Sequence, residues 1–173
     1  MIGKGKSISH GTAALEYDLA KEIDGQTAAI EIARHELYGC TGAEMVQEMK
    51  PYHADFPNVK NNCLRFEVSP SIEESATFTD ADWAELGNDF MQRMGLANHQ
   101  YIIIRHSGTE SKKEQAHLHI LANRVSLSGE LYRDNWIGKK ATGAANAIAK
   151  ERNFVQSQDI GKANKAEIKE AMD

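Results

Sequence analysis

Apolar and polar side chains alternate between residues 62 and 69, with Leu64, Phe66 and Val68 on one side and Arg65, Glu67 and Ser69 on the other. A period of two predicts a half-buried strand. Thr79 then opens a helix, with Asp82 three residues on as an acidic version of the capping box. The apolar stripe of that helix is Trp83, Leu86, Phe90 and Met94, and Gly95 supplies its stop. Residues 101–106 form a β-branched run and residues 116–125 a further strand. The polar loop 107–115 between them predicts an antiparallel hairpin with a long connection. The N-terminal part predicts an extended piece at 4–9 and helices around 12–24 and 41–50. Residues 138–153 and 163–172 predict two more helices, and prolines at 51 and 57 make 51–62 a loop. Strands and helices mixed without regular βαβ alternation predict an α+β fold, a central antiparallel sheet with helices packed on it.

A chain of 173 residues fits one domain with a core that needs no staples. The two cysteines, Cys40 and Cys63, form no C-x-x-C pair, and a reducing cytoplasm is the expected compartment. No apolar run reaches the roughly 20 residues of a membrane span, and residues 1–10 lack a signal-peptide core. The net charge of −5 argues against a nucleic-acid binder until its distribution is considered. Residues 1–99 hold eight basic and sixteen acidic side chains, net −8, whereas residues 100–150 hold eight and four, net +4. Phosphate contact depends on the local field more than on the total.

The chemistry concentrates in His106, ten intervening residues, and His117-Leu118-His119. On a strand, residues two apart project to the same face, so His117 and His119 can share one divalent cation. His106, at the end of the paired strand, can supply a third imidazole across the hairpin, with positions left open for water or substrate. Asn123 falls on the same strand face. A chance surface pair is the alternative reading of the H-x-H unit.

The stretch Arg105-His106, then Ala116-His117-Leu118-His119-Ile120-Leu121-Ala122-Asn123-Arg124-Val125, resembles the metal motif of the relaxase, or mobilisation nuclease, family. That family belongs to the superfamily named for its His-hydrophobic-His signature. The likeness covers roughly residues 2–155, since the 66–69 strand, the 79–95 helix and the 98–106 strand follow in the family's order. It implies a metal site on the central strands and transesterification of a single-stranded or hairpin origin of transfer, aided by accessory mobilisation proteins. It also makes residues 1–173 a single DNA-nicking domain, with the N-terminal part of a longer protein as the expected context.

The family places a tyrosine on an N-terminal helix, and Tyr17 in Ala13-Ala14-Leu15-Glu16-Tyr17-Asp18 matches it. With Leu15, Leu19 and Ile23 as the core stripe, Tyr17 lies about 200° around the helix from Leu15, free to face a site. A tyrosine attacking phosphorus stores the bond energy as an aryl phosphodiester that a 3′-hydroxyl can later reverse. Tyr38, Tyr52 and His10 are the next candidates. Glu67, on the polar side of its strand, is the candidate proton acceptor or support for a ligand histidine. Lys4, Lys6, Arg65, Arg105, Asn123 and Arg124 are candidate DNA contacts. The expected metal is Mg²⁺ or Mn²⁺ in the cell, with Zn²⁺ or Ni²⁺ able to replace it in purified protein because imidazole favours later transition metals. The alternatives are a replication initiator or transposase of the same superfamily, a non-catalytic DNA-binding module, and a histidine-rich metalloenzyme acting on a small molecule.

Overall fold

A computed structural model describes residues 1–172. In chain order its elements are β1 (Ile2–Ile8), α1 (Gly11–Leu19), β2 (Glu22–Ile23), β3 (Gln26–Thr27), β4 (Ala29–His35) and α2 (Gly42–Met49). A 3-10 turn (Lys50–His53) leads on to β5 (Cys63–Ser69), α3 (Ile72–Ser75), α4 (Asp80–Arg93), β6 (Tyr101–His106), β7 (His117–Asn123), α5 (Ile137–Glu151) and α6 (Ser157–Met172). Five strands form one sheet in the order β1-β5-β7-β6-β4, antiparallel throughout. β7 is therefore the central strand, and the α+β architecture read from the sequence is the one observed.

Alternation along the strands assigns the two faces. Leu64, Phe66, Val68, Ile103, Leu118, Ile120 and Ala122 join one core with Trp83, Leu86 and Phe90 of α4 and Ala141, Ala145 and Ile148 of α5. Cys63, Ile102, Ile104 and Leu121 join a second core with Ala14 and Leu15 of α1 and Met45, Val46 and Met49 of α2. α4 starts where its cap predicts: the Asp82 amide donates to Thr79 Oγ1 at 3.2 Å and the Thr79 amide to Asp82 Oδ2 at 2.8 Å. Such a cap contributes about 1 kcal/mol. α5 lies close on β1 because Gly3 has no side chain; a Cβ there would meet the Ala141 carbonyl oxygen at 2.4 Å.

Several elements differ from the sequence expectation, the unforeseen α3 and the earlier start of α6 among them. The helix expected over 12–24 ends at Leu19, because Asp24-Gly25, both at positive φ (52° and 75°), turns the chain into the β2–β3 hairpin. Ile23 thus sits in a strand and not on the stripe of α1. β4, absent from the sequence reading, is an edge strand paired only with β6 through a register shift between Glu31 and Ala33. The loop at 51–62 begins inside the 3-10 turn.

Candidate active site

The β6–β7 hairpin has the register that three-histidine ligation requires. His106 lies directly opposite His117, and His119 is two residues further along β7 on the same face. One ring nitrogen from each of His106, His117 and His119 lies within 4.8 Å of the others. The other nitrogens of His106 and His117 are hydrogen-bonded, and that of His119 faces a carboxylate. His106 Nε2 is 2.7 Å from the Asp18 carbonyl oxygen, His117 Nδ1 is 2.9 Å from the Gln115 carbonyl oxygen, and His119 Nδ1 is 3.9 Å from Asp18 Oδ1. With the first two as donors, the lone pairs left on those rings are His106 Nδ1 and His117 Nε2. His117 Nε2 and His119 Nε2 stand 3.0 Å apart. Two nitrogens held by one cation at roughly 2.0–2.1 Å would be about 2.9–3.4 Å apart, so the residues fit a metal ion. Burial pushes the His119 imidazole down to about 2, helped by the neighbouring His106, His117, Arg65 and Lys21. Burial likewise lowers His106. Neutral imidazole is the form that binds metal.

α1 supports this cluster through Asp18. Its buried side is Gly11, Ala14, Leu15 and Asp18, a spacing of three and four that places an acid on the stripe facing the sheet. Asp18 is 1% exposed and is gripped by Arg65 of β5, with Nη2 2.5 Å from Oδ1 and Nε 3.2 Å from Oδ2. One residue thus holds His106 with its backbone, faces His119 with its side chain, and anchors an arginine near His119. A partner on the far nitrogen fixes the tautomer and orientation of a ligand histidine. Sequence reasoning passed over Asp18. The signal available was an acid in register with Gly11, Ala14 and Leu15.

Arg65 and His119 open onto a cavity of about 210 Å³ that Lys4, Lys6 and Glu67 also line. Glu67 is the cross-strand partner of both His119 and Lys4. Tyr17, one residue before Asp18, stands out from α1 with 61% exposure and with Lys21 Nζ 5.6 Å from its ring centroid. The remaining sequence candidates lie elsewhere. Arg105 projects to the other face of the sheet and pairs with Asp80 at 2.9 Å. Asn123 is fully buried, bonded to His53, Gln100, the Met49 carbonyl and the Val125 amide. Arg124 is taken up by Asp134 and the carbonyls of Tyr132 and Asn61. Tyr38, on the β4–α2 loop, donates its hydroxyl proton to Glu36. His10 lines a separate cleft at the start of α1 with Lys50 and His53.

An antiparallel sheet with three clustered imidazoles on its middle strands, beside a buried carboxylate, defines an α+β domain with a candidate metal site. The family model described as "Relaxase: MobA/VirD2-like, nuclease domain" matches residues 17–154, most of the chain, and the protein belongs to that family. No curated protein matches the chain. The matched span contains the three histidines, Asp18, Arg65 and Glu67, while β1 with Lys4 and Lys6 precedes it. Membership supports a DNA-binding, nicking endonuclease at the level of the family, with single-stranded DNA as the implied partner. Among the described residues, no helix is long and apolar enough to cross a membrane.

Proposed function

We propose that residues 1–173 act as one metal-dependent relaxase domain that cuts a single strand at an origin of transfer, with Tyr17 as nucleophile, during plasmid or mobile-element mobilisation. The observation that carries the reading is the His106/His117/His119 cluster, braced through Asp18 by the same helix that bears Tyr17. A divalent cation held there would supply Lewis-acid polarisation of the scissile phosphate. Lys4, Lys6 and Arg65 draw the phosphate backbone towards the cavity. The Tyr17 oxygen forms a bond to phosphorus as the bond from phosphorus to the 3′-oxygen breaks. Glu67 takes the phenolic proton, and the departing 3′-oxygen gains one from water. The products are a 5′-phosphotyrosyl protein and a free 3′-hydroxyl, and the reverse reaction rejoins the strand. Mg²⁺ or Mn²⁺ fills the role in the cell, where accessory mobilisation proteins present the origin DNA; the compartment is the cytoplasm.

The test is a denaturing gel of the protein with labelled single-stranded or hairpin origin DNA, with and without added metal. A covalent adduct that requires both the metal and Tyr17 is the expected result. An adduct that persists in Tyr17→Phe moves the nucleophile elsewhere, with Tyr38, Tyr52 and His10 next. The absence of any adduct from the metal-loaded wild type on origin DNA overturns the reading.

A further inference from the structure

Trp136 has no part in the nicking chemistry and no evident part in the core. It is 66% exposed, and its backbone is left-handed (φ 60°, ψ 25°), a region that bulky residues seldom enter. It occupies the N-cap of α5 without making a side-chain cap, in a position where Ser, Thr, Asp or Asn would serve the helix. Neither packing nor capping accounts for an indole here. The cationic Lys139 Nζ stands 4.4 Å from its ring centroid.

The segment that carries Trp136 is held firmly. Asp134 accepts from Ser7 Oγ at 2.7 Å and pairs with Arg124 at 3.2 Å, and the Ile137 amide returns to the Asp134 carbonyl at 3.1 Å. The Tyr132 amide donates to the Arg124 carbonyl, and the Tyr132 hydroxyl to the Met94 carbonyl. Lys140 Nζ donates to the Arg133 carbonyl and lies 5.3 Å from the Tyr132 ring. The result is an exposed aromatic ring on a fixed support, with Arg133, Lys139 and Lys140 exposed beside it in the chain and the carboxylate of Asp134 already paired with Arg124.

The position of this support matters as much as its composition. It is tied to Ser7 on β1, the edge strand of the sheet on the β5 side. From the histidines outward the sheet presents His119 on β7, Arg65 and Glu67 on β5, then Lys4 and Lys6 on β1. Neighbouring strands lie about 4.8 Å apart, so β1 is only two strand spacings from β7. Ser7 projects to the opposite face from Lys4 and Lys6, so a single strand leaving the histidine cluster across Arg65, Lys4 and Lys6 would round the β1 edge to reach Trp136.

We propose that Trp136 is a stacking platform for a base of the single-stranded DNA that crosses the β1 edge, with Arg133, Lys139 and Lys140 on the adjoining phosphates. The proposal rests on the single-strand nicking reading above. Single-stranded DNA suits the surface because each unpaired base offers a π-face to an indole, whereas a duplex hides its faces in the stack. The surrounding cations match the phosphates in charge.

Intrinsic fluorescence tests the idea directly. Trp83 is 2% exposed, so quenching by an added oligonucleotide reports on Trp136. The full chain is titrated with oligothymidylate in the presence of a chelator, so that neither metal nor cleavage enters. Quenching on binding is expected for the wild type; the affinities of wild type and variants are compared by the anisotropy of end-labelled oligothymidylate, with Trp136→Ala weakening affinity by roughly 5- to 150-fold, the loss associated with one base–aromatic stack. Trp136→Phe should retain most of the affinity. Trp136→Gly relieves the positive φ and serves as a folded control, checked by thermal unfolding; it should bind as weakly as the alanine variant. Wild-type affinity in both Trp136→Ala and Trp136→Gly overturns the proposal, and a covalent adduct formed by the wild type in the separate gel assay would then leave the nicking reading intact.

Discussion

Replacing Asp18 with Asn tests whether α1 braces the metal cluster. The change keeps the shape of the side chain and the backbone carbonyl that holds His106, and removes one charge. Asp18 and Arg65 are 1% and 21% exposed, so the pair is buried at one end and reaches the cavity at the other. Removing one partner of a fully buried pair costs about 3–5 kcal/mol. Because Arg65 can recover water from the cavity, the expected loss is smaller, about 2–3 kcal/mol. For a domain of this size that lowers Tm by roughly 4–12 °C. Loss of a supporting carboxylate weakens metal binding about 10- to 100-fold. Circular-dichroism melting in chelator measures the first effect, and calorimetric titration with Mn²⁺ the second. A lowered Tm with unchanged metal affinity would make Asp18 a brace for the fold alone. Wild-type values of both would refute the argument from burial and geometry.

Tyr17→Phe should abolish the DNA adduct while shifting stability by no more than about 0.5 kcal/mol, since the ring is largely exposed; a marked loss of Tm would show a structural role. His117→Ala and His119→Ala should each remove most of the metal affinity in calorimetry, and His106→Ala should match them because it lies opposite His117; wild-type affinity in the first two would end the metal-site reading. The metal-free protein should lose stability in acid. His99, His106 and His119 are held neutral in the fold below their ordinary values, chiefly by burial, whereas the unfolded chain protonates them near pH 6.5. Their contribution is therefore complete above about pH 6.5 and is lost as pH falls, by up to about 1.4 kcal/mol per pH unit for each histidine. Urea unfolding in chelator at about pH 7.5 and about pH 5.5 measures this, and equal stabilities would contradict it. DNA affinity should fall as salt rises and should favour single strands; equal binding to a random duplex at every salt concentration would count against a cation-lined single-strand path.

What the sequence disclosed depended on how local each signal was. His117 and His119 were legible because strand alternation puts residues two apart on one face whatever surrounds them. His106 was legible because a hairpin brings its two strands together by construction, although only the structure supplied the register. α4 was legible from Thr79 and Asp82, a cap complete within four residues. β4 was not, because an edge strand with one partner and mixed exposure leaves no clean alternation. α1 stops at Leu19, short of Ile23, because the Asp24-Gly25 turn beside Ile23 outweighs one apolar residue in helical register. Asp18 and Asn123 needed tertiary information. The acid was visible, but the Arg65 that grips it is 47 residues away. Asn123 has its polar atoms satisfied by His53 and Gln100, 70 and 23 residues distant in the chain.

The negative charge of the first 99 residues ceases to be an objection once its uses are followed. Glu48 binds the amides of Tyr38 and Gly39, and Glu44 that of Cys40. Asp82 caps α4, Asp80 pairs with Arg105, and Asp89 pairs with Arg93 and Arg152. Asp18, the acid nearest the histidines, is offset by Arg65. Apart from Asp18, these acids serve caps and ion pairs on other elements; on the β7–β5–β1 strip Arg65 is balanced by Asp18, and Lys4 and Lys6 outnumber the single carboxylate of Glu67 in the cavity. Charges further off than the Debye length of about 8 Å at physiological salt contribute little to the field a phosphate meets there. A domain can therefore carry a net charge of −5 and still present a cationic path to its histidines, because a DNA strand responds to the groups along its route and not to the sum over the chain.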